Sequence, residues 1–105
     1  HSNGDRMNHA PFFNRLFTAL KGAGYHDFIL TIEDERFIGR QIGIGPIIEQ
    51  IVATDEPTHL KMTSPKGATV EITIMLDEGG DHLLDYGAAT FEEMEKVTKI
   101  LESLK

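Results

Sequence analysis

Five histidines, His1, His9, His26, His59 and His82, are the residues best suited to acid–base or metal chemistry, and their neighbours decide what each can do. The tightest histidine and carboxylate cluster is Asp81-His82-Leu83-Leu84-Asp85. In a strand, Asp81, Leu83 and Asp85 project to one side and His82 to the other, so the cluster has the wrong parity for a shared metal ion. A second nitrogen would have to come from His59 across the sheet. His26-Asp27 is a further pair, but adjacent residues seldom orient one another productively. No activated nucleophile accompanies them, since Ser64 falls in a Pro-containing turn and Ser103 in a helix, neither with the strand-turn-helix setting of a reactive serine. Neither a metal nor a cofactor is expected. A small hydrolase or isomerase using dispersed carboxylates with His26, His59 or His82 is the catalytic rival to a binding role.

The segment Gly39-Arg40-Gln41-Ile42-Gly43-Ile44-Gly45-Pro46 has the composition of a phosphate-cradling loop without its spacing. Its glycines read as sites of strong twist or close helix approach, with Arg40 and Gln41 as polar contacts at the sheet edge. Arg36-Phe37-Ile38-Gly39-Arg40 places two bases on one side of a strand and the ring on the other, which is unsuited to base stacking. Tyr86, followed by Gly87-Ala88-Ala89, falls where a pocket between sheet and C-terminal helix would open. Such a pocket suits a small-ligand sensor or carrier, and Met62, Met75 and Met94 would line it or fill core gaps. The expected ligand contacts are therefore Arg40, His59, His82 and Tyr86.

Hydrophobic periodicity assigns the elements that must position these residues. Phe12, Phe13, Leu16, Phe17 and Leu20 recur at helical spacing, which predicts an amphipathic helix over residues 10 to 22. Period-two alternation then predicts strands over 28 to 33, 37 to 44, 58 to 63, 70 to 76 and about 82 to 86. Pro46 to Ala53 fits either a short buried helix or a strand, and its isoleucines incline the reading to strand. Thr90-Phe91-Glu92-Glu93 forms a capping box that starts a last helix, with the Thr90 hydroxyl taking the Glu93 amide and the Glu93 carboxylate reaching back. The fold class is α+β: an antiparallel sheet of about four to five strands, with an N-terminal and a C-terminal helix packed on one face.

A chain of 105 residues has room for one two-layer core. Residues 1 to 6 read as a remnant of an expression tag and 7 to 105 as a single domain. No apolar run approaches the ~18 residues that cross a bilayer, so a membrane role is not expected. The absence of cysteine excludes disulfides and thiolate chemistry and, with no leader pattern, suggests a cytoplasmic origin. Net charge is −7, which opposes nucleic-acid binding, and residues 71 to 105 carry nine acids against three bases. A cationic partner surface suits that third. The resulting expectation is a noncatalytic binding or accessory module, homodimeric or bound to another protein through a sheet face, an edge strand or a Phe-rich helix. Phe12, Phe17 and Phe37 are the expected interface residues.

Overall fold

The structure is a computed structural model that describes residues 9–54, 56–76, 82–88 and 90–104, with the backbone alone for 82–86. Its elements are α1 (Ala10–Gly22), β1 (His26–Ile32), β2 (Glu35–Ile38), α2 (Gly39–Ile42), α3 (Ile44–Ala53), β3 (Thr58–Thr63), β4 (Thr69–Leu76), β5 (His82–Ala88) and α4 (Phe91–Ser103). The strands form one antiparallel sheet in the order β2-β1-β3-β4-β5. Helices at both ends of the chain pack on one face of it, as the periodicity predicts.

Alternation decides that face. Phe28 and Leu30 of β1, Leu60 and Met62 of β3, and Val70, Ile72, Ile74 and Leu76 of β4 are buried under the helices. Against them α1 lays Phe13, Leu16, Phe17 and Leu20, while α4 contributes Val97 and Leu101. Burying a large aliphatic or aromatic side chain stabilises by about 1.5–3 kcal/mol, so this single cluster supplies the main driving force. The opposite parity, including His59, Lys61 and Met75, faces outward.

Two assignments need correction. The strand expected over 37 to 44 ends at Ile38, where the chain turns into α2. Gly39 makes that turn possible, because a Cβ there would lie 3.0 Å from the Phe28 carbonyl oxygen and 3.3 Å from Ile47 Cδ1. Gly43, at φ +87°, then joins α2 to α3 in a conformation that side chains rarely adopt. The second correction is residues 46 to 53, which are helical rather than extended. Ile47, Ile48, Ile51 and Val52 are all buried, at a spacing of one helical face. Period outweighed β-branched composition here, since a helix buries all four side chains on one side and a strand would split them between two.

Candidate functional site

Two features stand out among the described residues: the clefts at the corner where β1 leaves α1, and the outer edge of β5. At the corner the backbone is unusual, because Asp27 adopts φ +56° beside a register irregularity between His26 and Ile29. A non-glycine residue at positive φ costs on the order of 1–3 kcal/mol and persists only where its surroundings hold it. Arg40, thirteen residues along the chain, does so by donating from Nε to Asp27 Oδ1 at 2.8 Å, with Nη2 at 2.6 Å from the same oxygen. His26 Nε2 lies 3.8 Å from the other Asp27 oxygen. Clefts of about 370 and 320 Å³ flank this bridge, the first reaching Ile29, Ile38 and Gln41 and the second reaching Lys21, Gly43 and Ile44.

A buried polar cluster adjoins this corner, where Thr63 pairs with His26 and Pro65 lies against Gly24. Thr90 accepts from the Glu93 amide at 3.2 Å, as the capping box requires. The Glu93 carboxylate does not return to Thr90 but accepts from Ser64 Oγ at 2.8 Å. Ser64, 0% exposed, also accepts from the Lys66 and Ala68 amides at 3.3 and 3.0 Å, so one hydroxyl ties the β3–β4 hairpin to the start of α4. Glu93 Oε1 and the Tyr25 hydroxyl are buried without a hydrogen-bond partner. Burial first, and then the charge of Glu93, push the Tyr25 hydroxyl above the ordinary phenol range. At the surface, Lys66 bridges to Glu92 at 2.9 Å, and Lys66 and then Lys96 hold the Glu92 carboxyl below its ordinary value.

β5 is the last strand of the sheet and pairs with β4 in an unbroken register from Val70↔Ala88 to Leu76↔His82. Among the described residues, nothing pairs with its other side. The segment that joins it to β4 carries Asp77, Glu78 and Asp81. Beyond its end stands Phe91, which at 79% exposure is the most open large apolar side chain among the described residues.

The residues singled out from sequence are dispersed over these features. Arg40 forms the bridge at the corner. His59 lies on the outward face, its Nδ1 at 3.1 Å from Thr73 Oγ1. Thr73 is in register with Asp85, whereas His82 is in register with Leu76, so His59 and His82 stand on different rows. Tyr86 pairs with Ile72 along the backbone, and the side chains of His82 and Tyr86 lie outside the described residues. Among the described residues, no cluster of three or more His, Asp or Glu side chains is arranged to hold a metal ion. Phe17, 2% exposed, packs edge-on against Phe28 at 5.2 Å inside the core. Phe12 and Phe37 are half-buried against that core.

Sequence reasoning missed Asp27 as the partner of Arg40 and Ser64 as the anchor of α4. The positive φ of Asp27 leaves no local signature beyond the tolerance of aspartate for it. Ser64 heads a four-residue hairpin connection, a place where hydroxyls commonly bond nearby amides, and that signal was available. Comparison with known proteins adds no relative: no family model, no curated protein and no solved structure matches the chain. No helix among the described residues is long and apolar enough to cross a membrane.

Proposed function

We propose that the protein is a noncatalytic binding module that captures a basic extended segment of a partner protein as a further strand on the outer edge of β5. The observation that carries this reading is the edge itself: seven residues in regular register, with no lysine or proline to discourage pairing. Edge strands normally carry such guards, and one whose single carboxylate is Asp85 offers a row of backbone donors and acceptors to an incoming basic chain. Charge selects the occupant. Residues 71 to 105 hold nine acids and three bases, so a second copy pairing through β5 would set two acidic segments side by side. A lysine- or arginine-rich strand meets the same edge with favourable charge and gains most at low salt. Phe91, close beyond the strand, supplies an apolar anchor of the kind that interfaces concentrate.

The test is an NMR titration of the labelled protein with an acetylated peptide of alternating lysine and valine, long enough to span seven residues. Saturable shifts confined to β5 and Phe91, absent with the glutamate–valine counterpart and weakened by salt, are expected. Shifts centred on the outward sheet face or on α1 would contradict the proposal. Light scattering over a concentration series addresses the homodimer: this account expects a monomer, and a dimer broken by Phe12→Ala with folding intact would return the interface to α1.

A further inference from the structure

We propose that the cleft at the β1–α2 corner is a site for a small carboxylic acid with an apolar body. The sign of the charge is the first reason. On a chain of net charge −7, this cleft of about 320 Å³ gathers two cations, Lys21 and Arg40, against one acid, Asp27. Asp27 neutralises Arg40 but engages only Nε and Nη2 through a single oxygen, which leaves further guanidinium donors for a second carboxylate. Among the described residues, no carboxylate pairs with Lys21. One uncompensated cation therefore stands at the rim beside an arginine able to bond in two directions, which suits a monoanion.

The walls give the second reason. Tyr25 and Phe28 are buried and Ile44 is half-buried, so the lower part of the cleft is apolar while the charges stand above it. An acid with a short apolar body can place its carboxylate between Lys21 and Arg40 and its hydrocarbon portion against these side chains. The volume is at the lower end of the range for ligand sites, which suits a small molecule. Asp27 competes with the ligand for Arg40, and the two substitutions that separate them should act in opposite directions.

Phenylacetate, titrated into the labelled full chain and followed by NMR, is the probe. Saturable shifts are expected at residues 21 to 28 and 39 to 44, with phenylacetamide weaker by about tenfold because it lacks the charge. Arg40→Gln should weaken phenylacetate by about tenfold. Asp27→Asn, which keeps a residue tolerant of positive φ, should tighten it several-fold. Lys21→Gln leaves the Asp27–Arg40 bridge intact and should weaken binding in the same sense as Arg40→Gln. Equal affinity for phenylacetamide, no saturable shift, or a loss of binding in Asp27→Asn would each overturn the proposal. The lysine–valine peptide reports on the other edge of the sheet, so its failure and the failure of this site are read separately.

Discussion

β2 pairs with β1 over four residues and then passes into α2 and α3, whereas β5 pairs with β4 over seven residues and, among the described residues, no strand covers its other side. Both lie at an end of the same sheet, and both have one row of backbone groups turned away from it. At β2 that row is short, and the exit is fastened by the Asp27–Arg40 bridge and by the close seat of Gly39 on β1. On the β5 side Ser64 and Glu93 secure α4, and among the described residues nothing pairs with the outer row of β5. The short edge leads directly into helix, while the long and regular one is the edge proposed above to take a further strand.

The contrast can be broken hardest on the β2 side. Ile47 is fully buried and its Cδ1 touches the space in front of Gly39, so Ile47→Ala should cost about 2–5 kcal/mol of stability and speed amide exchange in β2, as urea titration and exchange measurements will show. Next in size is Ser64→Ala, which leaves the buried Glu93 carboxylate without its donor and should cost about 1–3 kcal/mol. Its exchange signature belongs at the start of α4 rather than in β2.

Changes at the open edge should separate binding from folding. Asp85→Lys reverses the charge on β5 and should reduce binding of the lysine–valine peptide at least about tenfold, with the unfolding free energy changed by less than ~0.5 kcal/mol. The smallest effect belongs to the exposed Lys66–Glu92 bridge. Because the Glu92 carboxyl is held below its ordinary value, its contribution is present above the ordinary glutamate range and fades as pH falls through the lowered value. A carboxyl titration by NMR should place the Glu92 midpoint below that of a free glutamate, and Glu92→Gln should lower the urea midpoint at neutral pH only slightly.

Much of the fold was legible because its elements carry one clear period. The Phe and Leu stripe of α1, the alternation from Val70 to Leu76 and the Thr90 cap each depend on residues a few positions apart. Residues 39 to 53 were not legible in the same way, since isoleucine and glycine there satisfy a strand by composition and a helix by spacing. The contacts that define the two edges lie further still from local reading. Arg40 could be named as an edge contact, yet its partner stands thirteen residues away, and the tie from Ser64 to Glu93 spans twenty-nine. That β5 ends the sheet follows from strand order, which no single segment encodes.

Amide hydrogen exchange on the dilute monomer tests the openness of that edge most directly. In an antiparallel edge strand, alternate amides point away from the neighbour. This account predicts fast exchange at alternate residues of β5, with their neighbours as protected as β4, and slowing of the fast set when the lysine–valine peptide is added. Uniformly slow exchange along all seven residues of the free monomer would mean that the edge is already covered, and would contradict it.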